Sequence, residues 1–192
     1  GGRSGDALNI LSGHGGRILC VKTAWHGDRL LSGGADRTVR LWDLASSSGG
    51  RCLNSLSGHS GWVTTVKYWG PNTLISASTD RSVALWDVRV SNVPLFVLRH
   101  HCAPISDLLI GPRSDPVMVS AALDGSVAAW DFRQLTGADT PSSNERRRTV
   151  VRNPAGALYT HKFSRSRSAL GPVSLCKGVS PHRKTALCVG SD

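Results

Sequence analysis

The sequence contains no long apolar segment. Among its 192 residues there is no run of 18 or more apolar residues, the length that marks a candidate membrane-spanning helix. Its opening stretch, GGRSGDALNI, lacks the charged and then apolar layout of a signal peptide. We therefore expect a soluble protein of the cytoplasm or nucleus, with no membrane partner.

The five cysteines show none of the spacings typical of disulfide-rich domains or zinc ribbons. Their number is odd, they are widely spread, and no two are spaced Cys-x-x-Cys. The run His100-His101-Cys102 has the side chains of a zinc site. Neighbouring residues of a strand point to opposite faces, however, so these three do not converge easily on one ion. We predict reduced, mostly buried thiols, no metal and no cofactor.

The net charge of +10 is unevenly distributed. Residues 1–132 carry 12 Lys and Arg against 10 Asp and Glu, whereas residues 133–192 carry 11 against 3. The basic character therefore belongs to the C-terminal third and does not describe the whole chain.

A unit of about 44 residues recurs three times. Its most regular part reads SGGADRTVRLWD at 32–43, SASTDRSVALWD at 76–87 and SAALDGSVAAWD at 120–131. The tryptophans of these segments, Trp42, Trp86 and Trp130, are 44 residues apart in both intervals. Such a constant period indicates a repeat architecture.

Within each unit, apolar and polar residues alternate, as in Thr38-Val39-Arg40-Leu41-Trp42. This period of two is typical of β-strands and not of helices. Turn residues bound the runs, for example Gly-Pro-Asn at 70–72 and Leu-Asp-Gly at 123–125. Each unit is predicted to hold about four short strands.

The order Gly-His, Ser-x-x-x-Asp and Trp-Asp in units of about 44 residues resembles the WD40 repeat family. The resemblance implies an all-β fold, a β-propeller whose four-stranded blades surround a central channel. We expect three blades within residues 1–132, and their repeat cores span about 12–44, 57–88 and 99–132. Residues 133–168 are interpreted as a basic Ser/Arg-rich insertion in which GALYTHKF is a candidate outer strand. Residues 169–192 are interpreted as a partial fourth blade.

Each unit also contains a serine, a histidine and an aspartate, the residue types of a hydrolase triad. With the tryptophan of the same unit, the sets are His14, Ser32, Asp36 and Trp42; His59, Ser76, Asp80 and Trp86; and His101, Ser120, Asp124 and Trp130. Catalysis needs a single activated nucleophile, and no Gly-x-Ser-x-Gly elbow surrounds these serines. The resemblance instead implies that each set is a hydrogen-bonded structural tetrad, in which the aspartate accepts from the histidine. We predict no catalytic residue and no enzyme.

The resemblance also implies where partners bind: at the channel rim, just before the innermost strand and just before the structural aspartate of each blade. The corresponding residues are Arg17, Trp62 and Pro104, and then Ala35, Thr79 and Leu123. A large aromatic residue such as Trp62 with arginine nearby is typical of an interaction hot spot. The alternative is that Trp62 packs over the blade edge.

The insertion has several functional interpretations. Its arginines Arg146, Arg147 and Arg148 could contact nucleic acid or an acidic partner, form a nuclear localisation patch, or direct phosphorylation to Thr149. The structural alternative is a solvated loop, and no aromatic stacking platform accompanies the charge.

The fourth unit follows the repeat only loosely. Ala169 stands at the histidine position and Cys188 at the serine position, while Asp192 takes the position of the structural aspartate, six residues before the expected tryptophan. We expect from this pattern that the chain is a fragment whose propeller is incomplete.

The combined prediction is a non-catalytic WD40-type scaffold that binds other proteins or peptides. A finer hypothesis is substrate recognition for a ubiquitin ligase, because the Gly-His-rich blades and short loops resemble F-box and WD-repeat proteins. The alternative is a regulatory or nucleic-acid-associated factor that acts through the basic insertion.

Overall fold

The computed structural model describes residues 10–24, 26–45, 50–111 and 117–131, and the backbone of two further strands at 149–152 and 157–162. The predicted fourth blade at 169–192 and Arg146, Arg147 and Arg148 lie outside the described residues. Within the described part of the chain, no helix is long and apolar enough to cross a membrane.

The described residues form thirteen β-strands. They are β1 (Ile18–Thr23), β2 (Arg29–Gly34), β3 (Thr38–Asp43), β4 (Arg51–Ser57), β5 (Val63–Tyr68), β6 (Thr73–Ser78), β7 (Ser82–Asp87), β8 (Phe96–Arg99), β9 (Ile105–Ile110), β10 (Val117–Ala122), β11 (Ser126–Asp131), β12 (Thr149–Arg152) and β13 (Ala157–Lys162).

These strands build three consecutive sheets, which we call the first, second and third blades. Their strand orders are β1-β2-β3-β4, β5-β6-β7-β8-β12 and β9-β10-β11-β13. Neighbouring strands are antiparallel except that β12 runs parallel to β8. The outer strand of the third blade, β13, comes from GALYTHKF. The sheets of the described residues do not close into a ring, and the predicted all-β fold of an incomplete propeller is confirmed.

Two apolar cores hold the blades together. Leu31, Leu41 and Leu56 of the first blade pack with Val66 and Trp86 of the second. The opposite face of the second blade packs on the third through a separate cluster, in which Ile75 and Leu85 meet Ile105, Leu108 and Trp130.

The second blade is therefore buried on both faces. Leu74 belongs to one core and its neighbour Ile75 to the other, because successive side chains of a strand point to opposite sides. This position between two blades explains why every residue of β7 is buried.

The innermost strands lie side by side, and polar contacts join them. The Thr64 hydroxyl donates to the Ile105 carbonyl at 2.7 Å. In the same region, Lys67 Nζ lies 3.6 Å from Asp107 Oδ1. These contacts therefore join the innermost strand of the second blade to that of the third.

The free thiols of Cys20 and Cys52 are partly buried, whereas Cys102 is exposed. Burial raises the pKa of the Cys20 thiol to about 11, so this thiol stays protonated at neutral pH. Cys20 and Cys52 are therefore partly buried, as expected for most of the thiols, whereas Cys102 is not.

One face of the first blade is open. Ile18 and Val21 on β1 are 50% and 53% exposed, whereas the residues at the same strand positions in the second blade, Val63 and Val66, are fully buried. In the second blade, this face of the innermost strand packs against the first blade. No described residue packs against the same face of β1.

This difference predicts unequal costs for one substitution at two equivalent positions. Val66→Ala should lower the free energy of unfolding by about 2 kcal/mol, through lost apolar burial and the cavity left behind. Val21→Ala should change it by no more than about 0.5 kcal/mol. Urea unfolding of both variants measures the two values, and an equally large loss for Val21→Ala would show that this face is covered in solution.

Candidate interaction face

The histidine and the aspartate of each predicted tetrad lie at one end of the blade, which we call the tetrad end. In each blade the histidine precedes the innermost strand, the serine lies on the second strand, the aspartate lies in the following turn, and the tryptophan lies on the third strand. Hairpin pairing brings the serine and tryptophan strands side by side, as in β2 and β3. A short turn after the serine strand then places the aspartate next to the histidine.

The first set forms a continuous hydrogen-bonded chain. The indole N–H of Trp42 donates to Ser32 Oγ at 2.8 Å, and Ser32 Oγ lies 2.6 Å from His14 Nε2. On the other side of the ring, His14 Nδ1 lies 2.8 Å from Asp36 Oδ2. If Nδ1 carries the proton, every donor in this chain has an acceptor: indole to serine, serine to histidine, and histidine to carboxylate.

The second set repeats this geometry. Trp86 donates to Ser76 Oγ at 2.8 Å, Ser76 Oγ lies 2.7 Å from His59 Nε2, and His59 Nδ1 lies 3.0 Å from Asp80 Oδ2. Asp80 also accepts from the backbone N–H of Ser60 at 2.8 Å and of Ser82 at 3.0 Å. The carboxylate thereby joins the loop before β5 to the turn before β7.

The third set has a different contact at its aspartate end. Trp130 donates to Ser120 Oγ at 3.0 Å, and Ser120 Oγ lies 2.7 Å from His101 Nε2, as in the other blades. His101 Nδ1, however, lies 2.8 Å from Ser126 Oγ. Asp124 Oδ1 accepts from the Ser126 backbone N–H at 3.0 Å, so Ser126 links the histidine to the aspartate turn.

A hydroxyl two residues after the aspartate is a fifth member that the sequence analysis did not include. Thr38 and Ser82 both donate a side-chain hydrogen bond to Oδ1 of the aspartate before them. Ser126 occupies the same position in the third blade. The signal was present in the repeat, because Asp-Arg-Thr, Asp-Arg-Ser and Asp-Gly-Ser all place a hydroxyl there.

These networks shift the pKa values of their members. Burial by itself would raise the pKa of Asp36, but hydrogen bonds from His14, Gly15 and Thr38 outweigh it and lower the pKa to about 2. The pKa of Asp80 is likewise lowered, because hydrogen bonds from His59 and its neighbours overcome the effect of burial.

His101 is shifted for a different reason. Burial, assisted by the neighbouring His100, lowers its pKa from 6.5 to about 4, and Asp124 opposes this shift only in part. The ring is therefore neutral at pH 7, which suits a histidine whose Nδ1 partner is a serine hydroxyl.

The geometry leaves these serines no access to a substrate. Ser32, Ser76 and Ser120 are at most 1% exposed, and each hydroxyl already bonds a tryptophan and a histidine. A nucleophile must reach the reacting carbonyl, so these three sets do not serve as hydrolase triads.

The six predicted rim residues occur as three hydrogen-bonded pairs at the tetrad end. In each pair the backbone N–H of the residue before the aspartate donates to the carbonyl of the residue before the innermost strand. The pairs are Ala35 with Arg17 at 2.8 Å, Thr79 with Trp62 at 2.9 Å, and Leu123 with Pro104 at 2.9 Å. We call these six residues the rim face.

Side chains of the rim face from different blades also meet. The guanidinium carbon of Arg17 lies 5.6 Å from the centroid of the Trp62 ring, in cation–π range. Trp62 remains 47% exposed, and Leu123 is 59% exposed. Trp62 therefore packs on a neighbouring blade through Arg17 and still presents about half of its surface to solvent.

The turn after each aspartate has a left-handed residue. Arg37 and Arg81 have φ of 68° and 69°, and Gly125 occupies the same position with φ of 77°. A residue other than glycine pays roughly 1 kcal/mol in this conformation. The third blade thus uses the residue best suited to the backbone, whereas the first two carry exposed arginines.

Comparisons with known proteins agree with this geometry. Residues 5–43 and 50–87 match the family described as "WD domain, G-beta repeat". The chain is 35% identical over 77 residues to eukaryotic translation initiation factor 3 subunit I of Bombyx mori, and 41% identical over 68 residues to nuclear distribution protein PAC1 of Yarrowia lipolytica. Each match covers 35% of this chain but only 23% and 15%, respectively, of the relative.

Among solved structures, the computationally designed Ika4 protein superposes with a TM-score of 0.56 at 27% sequence identity. The match covers 67% of this chain and 74% of the designed protein. Together with the matched residues and the tetrads of the first two blades, this superposition identifies residues 5–43 and 50–87 as WD40 repeats.

Proposed function

We propose that this chain is a non-catalytic scaffold that binds other proteins through its rim face. The observation that carries the proposal is the exposure of Trp62 beside Arg17 on a rigid framework. Tryptophan and arginine are the residue types most enriched among interaction hot spots. Their neighbours Ala35 and Thr79 are held by backbone hydrogen bonds, so little conformational entropy is lost when a partner binds.

The relatives support the general part of this proposal. Two of them are, by name, a subunit of a translation initiation factor and a nuclear distribution protein. A subunit functions within an assembly, which fits a repeat fold that offers surfaces rather than chemistry. We place the scaffold in the cytoplasm or nucleus.

Affinity capture tests the role of the rim face. The chain with Trp62→Ala should lose at least 90% of the partner protein captured by the unchanged chain, measured by quantitative mass spectrometry. Val90→Ala is the matched control, because Val90 is similarly exposed, at 49%, but follows β7 at the opposite end of the blade. Equal capture by all three proteins would refute the assignment of the rim face.

The finer hypothesis is that the captured proteins are substrates of a ubiquitin ligase. Its support is the resemblance of the Gly-His-rich blades and short loops to F-box and WD-repeat proteins. The test is co-capture of ligase subunits with the protein in its cellular form. Partner binding without any ligase subunit would restrict the function to scaffolding.

The alternative function depends on Arg146, Arg147 and Arg148, which lie outside the described residues. Changing all three to alanine tests it: salt-dependent retention on RNA or DNA that disappears in this variant would favour the nucleic-acid-associated factor. Partner capture that survives the triple change and fails with Trp62→Ala would favour the scaffold.

A further inference from the structure

Among the described residues, the exposed charged side chains at the tetrad end are all arginines, and Asp124 of the third blade is partly buried. Arg17 precedes β1, Arg37 and Arg81 lie in the turns before β3 and β7, and Arg99 ends β8. All four arginines are exposed. Strand pairing places them at the same end, since Ile18 pairs with Gly34 and Ser82 with Arg99.

The acidic groups of the first two blades at this end are turned inward. The side chains of Asp36 and Asp80 are only 13% and 5% exposed, and both are bound to histidines. Within the described part of the chain, no ion pair involves Arg17, Arg37 or Arg81. The arginine side chains are therefore exposed to solvent, whereas the carboxylates of Asp36 and Asp80 are mostly buried in the blades.

The opposite end of the blades has mixed charge. Arg89 lies 2.7 Å from Asp87, and Arg51 is paired in register with Asp43 on the neighbouring strand. Asp28 adds an exposed carboxylate there. The accumulation of cations is thus a property of the tetrad end and not of the blades as a whole.

Arg37 and Arg81 also occupy backbone positions that favour glycine. Gly125 shows that the third blade adopts the same turn without a side chain. Two arginines held in a left-handed conformation at the same end of the blades as an exposed tryptophan suggest a role for the side chains themselves, because glycine would fit the turn better.

We infer that the partner bound at the rim face is an acidic peptide segment with an apolar anchor. This inference rests on the proposed function and names the chemistry of its ligand. Arg17, Arg37 and Arg81 would meet the carboxylates of such a segment, and Trp62, with half of its surface open, would receive the anchor. Complementary charge of this kind accelerates association and excludes basic competitors.

The test uses a displayed library of random dodecapeptides, selected on the 192-residue chain and on the double variant Arg37→Gly/Arg81→Gly. This variant should fold with an equal or higher melting temperature, because glycine suits the left-handed turn. We expect the unchanged chain to enrich Asp- and Glu-rich peptides with an aromatic or aliphatic residue. By fluorescence anisotropy, the most enriched peptide should bind the double variant at least tenfold more weakly.

Two matched controls locate the effect. Arg89→Gly removes an exposed arginine at the opposite end of the second blade, and changing Arg146, Arg147 and Arg148 to alanine removes charge from the insertion. Both should leave the affinity within twofold. Loss of binding in either control comparable to that in the double variant would refute the placement at the tetrad end.

The remaining outcomes separate this inference from the proposed function. Enrichment of neutral peptides whose binding needs Trp62 but neither arginine would overturn the acidic partner and leave the rim face in place. Tighter binding of a 20-nucleotide single strand than of any peptide, lost in the double variant, would overturn the choice of a peptide. Failure of Trp62→Ala to weaken any enriched peptide would overturn both.

Discussion

Replacing Asp80 with alanine is expected to lower the free energy of unfolding by about 3 kcal/mol. Asp80 accepts hydrogen bonds from the His59 ring, from the Ser60 backbone and from both the backbone and the hydroxyl of Ser82. A buried polar group left without its partner costs about 1–3 kcal/mol, and this substitution removes the acceptor of several donors at once. Urea unfolding followed by tryptophan fluorescence measures the loss.

Two further variants make the result interpretable. Asp28→Ala removes an exposed carboxylate at the opposite end of the first blade and should change stability by no more than about 0.5 kcal/mol. Asp80→Asn keeps the shape and one acceptor oxygen, so its loss should lie between the two. If Asp80→Ala unfolded like the unchanged chain while an activity disappeared, the structural interpretation of the tetrads would be wrong.

Acidification from pH 7 to pH 4 is expected to remove about 3 kcal/mol of stability through His101 alone. The pKa of this histidine is about 4 in the folded chain and 6.5 without the effects of the fold. As the pH falls below 6.5, the unfolded chain takes up this proton before the folded chain does, so the free energy of unfolding decreases down to about pH 4. Each unit of pKa difference corresponds to about 1.4 kcal/mol.

The tetrad aspartate Asp36 acts at lower pH. The pKa of Asp36 falls from 3.8 to about 2 on folding, so its stabilising contribution is complete above pH 3.8 and is lost as the pH approaches 2. The two effects therefore occupy different pH ranges, and the contribution of Asp36 does not overlap that of His101 between pH 7 and pH 4.5.

Urea unfolding of His101→Gln tests this assignment. The variant should be less stable at pH 7 but should lose the part of the pH dependence that belongs to residue 101. His26→Gln is the control, because His26 is exposed in the loop between β1 and β2 and the variant shows how the slope responds to the loss of an exposed histidine. An unchanged slope in His101→Gln would place the titrating group elsewhere.

Much of the fold was predictable because the same sequence pattern occurs three times in the chain, so each copy supports the interpretation of the others. The period of 44 residues, the alternation of apolar residues and the turn residues were enough to predict an incomplete all-β propeller. Ser-x-x-x-Asp followed by Trp also brought together residues that the structure places within hydrogen-bonding distance. These features depend on residues close in sequence, which a hairpin brings side by side in the same way in each unit.

The site was less predictable where it depends on residues from different blades. Trp62 was singled out by its residue type, but the cation–π contact with Arg17 joins residues 45 positions apart. The left-handed backbone of Arg37 and Arg81 was equally hidden, since arginine carries no sequence signal for that conformation.

By itself, the sequence determined the blade type, the strand periodicity and the composition of each tetrad, because these follow from local spacing and hydrogen-bonding capacity. Only the tertiary structure decided that His101 contacts Ser126 at Nδ1, that β1 is exposed where β5 is buried, and that exposed arginines share one end with Trp62. The physical reason is that burial and electrostatic contact depend on distances between blades, and a repeat pattern describes one blade at a time.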